Sequence, residues 1–137
     1  LVKSNFRNAI IRCADFSFAE LLEADFSEVT FDDDGMTYFL EYGVDFGHAN
    51  LTKASFRNIK GSYSLEPKIN FRQANLHCVD FTDADLRGAQ DLTVSQLSCA
   101  TLCRTLLPEY LIGKVNPNRD CYKINAEKIL PPARAVS

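Results

Sequence analysis

No stretch of this 137-residue sequence approaches the roughly eighteen consecutive apolar residues that a membrane-spanning helix needs, so no membrane span is expected. Nor does a charged start followed by an apolar stretch mark a signal peptide. A concentrated basic stripe is also missing. The net charge is -3; residues 1–90 carry nine basic and fourteen acidic groups, residues 91–137 six and four. A mildly acidic body does not suit a phosphate backbone, so no nucleic-acid partner is expected. Five cysteines, at 13, 78, 99, 103 and 121, are too few and too odd in number for a disulfide framework. A reducing, cytoplasmic compartment is the expectation. An exported or lumenal one stays open if a leader was removed before Leu1, and with it one bridge among Cys99, Cys103 and Cys121. Histidine is limited to His48 and His77. With 46% hydrophobic and 24% charged residues, the chain reads as one globular domain with a real core, not as a disordered segment.

What the sequence does have is a period of five. Phe6, Ile11, Phe16, Leu21, Phe26, Phe31, Phe46, Leu51, Phe56, Phe71, Leu76, Phe81 and Leu86 share one phase. Two positions before each stands a small or β-branched residue, as at Ala24, Ala54, Val79 and Ala84. The residue just before is usually Asp or Asn: Asn5, Asp15, Asp25, Asp45, Asn50, Asn70, Asn75, Asp80 and Asp85. A step of five turns an ideal helix by about 140°, which scatters the members round the cylinder. In a flat strand an odd step puts successive members on opposite faces. Each five-residue unit therefore sends its large centre and the small residue two before it inward, while the other three positions face water and turn the chain. Asp and Asn suit such turns because their side chains bond nearby backbone. Repetition winds a coil, and stacked coils bury what one coil cannot.

The A-(D/N)-(L/F)-x-x pattern, in ADFSF, AELLE, ADFSE, ANLTK, ANLHC and ADLRG, resembles the pentapeptide-repeat family over roughly residues 4–90. That resemblance implies an all-β repeat solenoid: a right-handed quadrilateral β-helix of about four coils, one pentapeptide per side. Two interruptions, near 32–43 and 58–68, are expected to be loops, because staying in phase would put Glu41 and Glu66 at buried centres. From Asp91 the pattern changes. Thr93 with Gln96 forms a capping-box signature, Val94, Leu97, Ala100 and Leu106 or Leu107 supply an apolar face, and Pro108 is a stop, which predicts a helix over 94–107. Residues 91–137 are thus expected to form a C-terminal α-helical cap and tail, with a second short helix within NRDCYKINAEKIL.

Candidate chemistry is sparse. His48, His77 and Cys78 fall on outer positions of the ladder, without the cleft a nucleophile and base require. Cys99 and Cys103, four apart, would share a face of the expected helix and read as small buried residues, a bridge to Cys121 being the competing reading. Asp32, Asp33 and Asp34 before Gly35 lack the spacing of a calcium loop and read as a solvated turn. Arg7, Arg12, Arg57, Arg72 and Arg87 each follow a centre and mix with acids over the outer wall. No catalytic residue, metal or cofactor is expected.

The expected function is a non-enzymatic scaffold or protein-interaction module, monomeric or dimeric, whose partner is another protein. Phe31 and Phe56 are 25 residues apart, as are Phe46 and Phe71. If each loop replaces one five-residue side with ten residues, the second loop lies above the first at about 4.8 Å. Asp32, Asp33, Asp34, Tyr38, Phe39 and Tyr42 would then adjoin Tyr63, Leu65 and Glu66 as a partner surface, unless the aromatics fold back over the coil. The resemblance implies an alternative: some pentapeptide-repeat proteins mimic duplex DNA on DNA gyrase and protect against quinolones.

Overall fold

A computed structural model of the chain describes residues 1–32, 43–61 and 67–129. All its strands are short and pair in parallel, in two three-stranded sheets. One joins β1 (Ile10–Arg12), β2 (Thr30–Asp32) and β4 (Lys60–Gly61); the other joins β3 (Val44–Asp45), β5 (Ile69–Asn70) and β6 (Ala89–Gln90). Ile10 pairs with Thr30 and Ile69 with Ala89, so an uninterrupted turn of the chain advances twenty residues, four units of five. This is a parallel β-helix-type solenoid.

The predicted centres stack into columns along its axis. Phe6, Phe26, Phe56 and Phe81 form one, with successive ring centroids 4.7, 4.9 and 5.6 Å apart. Ile11, Phe31 and Gly61 form the second. Phe16, Phe46 and Phe71 form the third, at 5.2 and 5.7 Å. Leu21, Leu51 and Leu76 form the fourth, through bonds from the Leu21 amide to the Asn50 carbonyl and from the Leu51 amide to the Asn75 carbonyl. Rings of different columns meet edge to face, as Phe26 and Phe46 do at 5.2 Å, the arrangement the ring quadrupole favours. All thirteen centres are buried except Phe6 and Phe16, which lie half-buried in the first coil.

The corners explain the Asp/Asn position. In every one of the nine units the side-chain Oδ1 accepts a hydrogen bond from the amide two residues on, from Asn5 with Arg7 at 2.9 Å to Asp85 with Arg87 at 3.1 Å. The residue two after the centre takes a left-handed conformation in eleven of the units, as at Glu23, His48, Lys53, Cys78 and Asp83, with φ between 53° and 63° in all but Cys13 at 43°. For a non-glycine residue this costs about 1–2 kcal/mol. The cost is offset because the same conformation aims the amide along the axis at the next coil: Glu23 donates to the Thr52 carbonyl, His48 to Arg72 and Lys53 to His77, each within 2.9 Å.

The C-terminal part corrects two expectations. Residues 94–107 are not a helix. The Thr93–Gln96 capping box is formed, with reciprocal bonds of 2.9 and 3.1 Å, but it opens only a turn, and the Gln96 amide group donates onward to the carbonyls of Phe71 and Ala74. The ladder continues instead. Leu92, Leu97, Leu102 and Leu107 are buried at five-residue spacing, one residue out of phase with Leu86, and Asp80 pairs with Thr101 and Asp85 with Leu106. Val94 and Leu106, placed on the apolar face of the expected helix, are half exposed because a five-residue period turns them outward. A single-turn 3-10 helix, Glu109–Leu111, follows, and the one α-helix among the described residues is α1 (Cys121–Ile129), within the segment where a second short helix was expected.

Cysteine behaves differently from expectation as well. Cys99 is exposed on a turn, whereas Cys103 is buried on the last coil and bonded to Cys121, with Cα atoms 4.7 Å apart. Residues 118–120 lie across the coil end: the Leu102 amide donates to the Asp120 carboxylate at 3.0 Å, the Asp120 amide to the Leu102 carbonyl at 3.0 Å and the Arg104 amide to Asn118 at 2.9 Å. Arg119 reaches the carbonyls of Leu97 and Ala100. These bonds occupy backbone groups that a further coil would otherwise pair.

Candidate functional site

Both interruptions leave the coil at one corner, between the second and third columns. The first departs after β2 and returns at β3; the second departs after β4 and returns at β5. Phe31 is in register with Gly61, and Val44 with Ile69, so both points of departure and both points of return are stacked on adjacent coils. Only two residues separate Ile11 from Ala14 on an uninterrupted passage of this corner, against twelve between Phe31 and Val44 and seven between Gly61 and Ile69. The coil therefore takes up insertions of ten and five residues, and the register steps are thirty and twenty-five: Thr30 to Lys60, Val44 to Ile69. The expectation that each loop replaces a five-residue side with ten residues, placing Phe56 above Phe31, is corrected: the first insertion adds ten residues rather than five, and the second leaves after Gly61 rather than after Phe56. Phe56 stacks on Phe26, and residues 58–61 belong to the coil, with Ile59 buried and Gly61 standing at a centre position.

At the return, the two passages touch. A Cβ on Gly43 would lie 2.7 Å from the Lys68 carbonyl oxygen, so only glycine fits where the first insertion rejoins the coil beneath the second. Of the expected partner surface, Asp32 ends β2, its backbone in register with Arg12. Asp33, Asp34, Tyr38, Phe39, Tyr42, Tyr63, Leu65 and Glu66 lie outside the described residues.

The rest of the wall carries charges of both signs in contact across coils. Arg7 meets Glu28 at 2.8 Å, Arg104 meets Asp83 at 2.6 Å and Arg57 approaches Asp80 at 3.6 Å. Such exposed, solvent-screened pairs set the surface potential more than the stability. His48 stacks on the ring of Phe18, centroids 4.7 Å apart and planes parallel, with Phe18 largely exposed. His77 and Cys99 border the same shallow cleft of about 300 Å³ together with Ser95, Gln96 and Ser98. At the coil end the charges serve the structure. Burial, the largest single influence, pushes the Asp120 carboxyl up, but the Leu102 amide, Lys123 and Arg119 outweigh it and hold the group below the ordinary carboxylate range. Among the described residues, no group of three or more His, Cys, Asp or Glu is arranged to hold a metal ion.

A coil of five-residue sides with Asp/Asn-closed corners, a filled interior and insertions at one corner defines a repeat solenoid. The sequence model described as pentapeptide repeats matches in eight copies, and residues 1–33 and 67–90 are repeats of the pentapeptide-repeat family. Phe46, Leu51 and Phe56, outside the matched segments, are structurally equivalent members of the ladder. Among solved structures, a pentapeptide repeat protein from the thylakoid lumen of Arabidopsis thaliana is 28% identical, with a TM-score of 0.44, over 91% of this chain and 74% of that one. A trypsin-treated form of QnrB1, a plasmid-mediated fluoroquinolone resistance protein, is 22% identical, with a TM-score of 0.43, over 77% of this chain and 49% of that one. No curated protein sequence matches the chain. Among the described residues no helix is long and apolar enough to cross a membrane.

Proposed function

We propose that this chain is a non-enzymatic interaction scaffold, a right-handed quadrilateral coil that presents one corner to a protein partner. The observation that carries the reading is the stacking of both departures and both returns at a single corner. Insertions of ten and five residues preserve the phase of the ladder, so they add surface to the coil without disturbing it. Their composition supports the reading: Tyr38, Phe39, Tyr42, Tyr63 and Leu65 stand among Asp32, Asp33, Asp34 and Glu66, whereas the described wall is mainly small, polar and charge-paired. Aromatic and apolar clusters rimmed by polar groups are the usual anchors of protein interfaces. Among the described residues the interior is filled by the Phe and Leu columns.

The alternative of a duplex-DNA mimic asks for a uniformly acidic wall, and the arginines paired along this one oppose it. The Cys103–Cys121 bond favours an oxidising compartment over the cytoplasm. The test is recovery of partners from the source cell with wild type against Tyr38→Ser combined with Tyr63→Ser. A protein retained by wild type and lost by the double variant supports the corner. Equal recovery by both removes it, and recovery of a type II topoisomerase by both favours the mimic.

A further inference from the structure

We propose that the Cys103–Cys121 disulfide is a thiol–disulfide exchange site through which a dithiol reductant detaches helix α1 from the coil without opening the ladder. The ties on the two sides of Cys121 are unequal. Residues 118–120 are held to the coil end by the Asn118, Arg119 and Asp120 bonds described above. Beyond Cys121, the described anchors of α1 are the disulfide, buried Ile124, and the bonds of Lys123 to Asp120 at its own base. A nine-residue helix does not hold its structure alone in water, where about twelve to fifteen residues are marginal even for good helix formers. The disulfide therefore holds α1 in place, while the coil end is closed independently of it.

The two sulfurs are also unequal. Cys103 is fully buried and Cys121 only partly, so an incoming thiolate reaches Cys121. Its attack on the Cys121 sulfur breaks the S–S bond, and Cys103 leaves as a thiolate that takes up a proton. The second thiol of the reductant then attacks the mixed disulfide on its own sulfur, frees Cys121 as a thiol and leaves the reductant as its intramolecular disulfide. Two electrons pass from the dithiol to the protein. A glutathione-type disulfide runs the exchange in reverse. The exposed thiols Cys13, Cys78 and Cys99 take no part.

The experiment combines non-reducing peptide mapping with hydrogen exchange on the intact chain, before and after dithiothreitol under native conditions. The proposal expects a linked Cys103–Cys121 peptide. On reduction it expects at least tenfold faster exchange across 121–129 with unchanged exchange across 44–60 and 69–86, and recovery on adding glutathione disulfide. Cys121→Ser should exchange fast in 121–129 from the outset and ignore dithiothreitol. Absence of the linked peptide overturns the proposal. So does unchanged exchange in 121–129 after reduction, or acceleration of the coil segments together with α1, which would make the bond a general stabiliser.

Discussion

Replacing Phe26 by alanine should remove more stability than any exposed substitution on the coil. Phe26 is fully buried, sandwiched between Phe6 at 4.7 Å and Phe56 at 4.9 Å and met edge-on by Phe46 at 5.2 Å and Phe16 at 5.7 Å. A buried phenylalanine takes about 150–250 Å² from water, which at about 25 cal/mol per Å² gives roughly 4–6 kcal/mol. Residual compactness of the unfolded chain lowers this, and the void left between Phe6 and Phe56 raises it again. The expected loss is about 3–5 kcal/mol. Phe26→Leu keeps the apolar volume but gives up the ring geometry with four neighbours, for about 1–2 kcal/mol. Arg72→Ala, at an exposed position after a centre, should stay within about 0.5 kcal/mol. Urea unfolding followed by circular dichroism reads all three, with an unchanged m-value as the check that one cooperative unit is compared. Similar midpoint shifts for Phe26→Ala and Arg72→Ala would refute the assignment of inward and outward positions.

Two further outcomes follow from the corners and the coil end. Asp80 Oδ1 accepts from the amide of Thr82 at 2.9 Å and from its hydroxyl at 2.6 Å, and Thr82 is fully buried. Asp80→Ala should therefore cost about 1–3 kcal/mol in urea melts, and Asp80→Asn, which keeps an acceptor, clearly less; equal losses would contradict the corner bond. Asp120 is held below the ordinary carboxylate range, so its contribution is present above about pH 4 and is lost as pH falls through the lowered native value. Thermal melts of wild type and Asp120→Asn should differ most at pH 6 and converge on acidification below about pH 4; a gap independent of pH would contradict the sign.

The interior up to Leu86 was legible because the thirteen large centres obey one phase, and the nine Asp/Asn residues before centres all close the corners their type suggests. Three parts were not. The ladder is hidden at Ile59–Gly61, above Phe31, because a glycine stands where a large centre is expected. It is hidden again after Leu86, where a single extra residue shifts Leu92, Leu97, Leu102 and Leu107 out of phase. There Leu97, Ala100 and Leu107 also satisfy helical spacing, and the Thr93–Gln96 box is a real start signal that initiates only a turn. Tertiary pairing of Asp80 with Thr101 and of Asp85 with Leu106 decided for the coil. The left-handed corners left no glycine signature, since Glu23, Lys53 and Cys78 occupy them on the strength of bonds to the next coil. The partner of Cys103 depended on how residues 104–120 fold back, which spacing does not encode. At the candidate corner, composition pointed to the residues, but the insertion lengths became readable only from the register of the strands on either side.

Removing residues 33–42 and 62–66 together tests the central claim most directly. The account holds that these insertions of ten and five residues are added at one corner of a coil whose phase they preserve. Their removal joins Asp32 to Gly43 and Gly61 to Pro67, which restores two residues between Phe31 and Val44 and two between Gly61 and Ile69. The shortened chain should unfold cooperatively within about 1–2 kcal/mol of wild type, because shorter connections change closure entropy only slightly, while recovery of the partner is lost. Removing residue 43 as well, one residue beyond the period, should abolish the cooperative transition. An unfolded double deletion, or one that keeps the partner, would contradict the account.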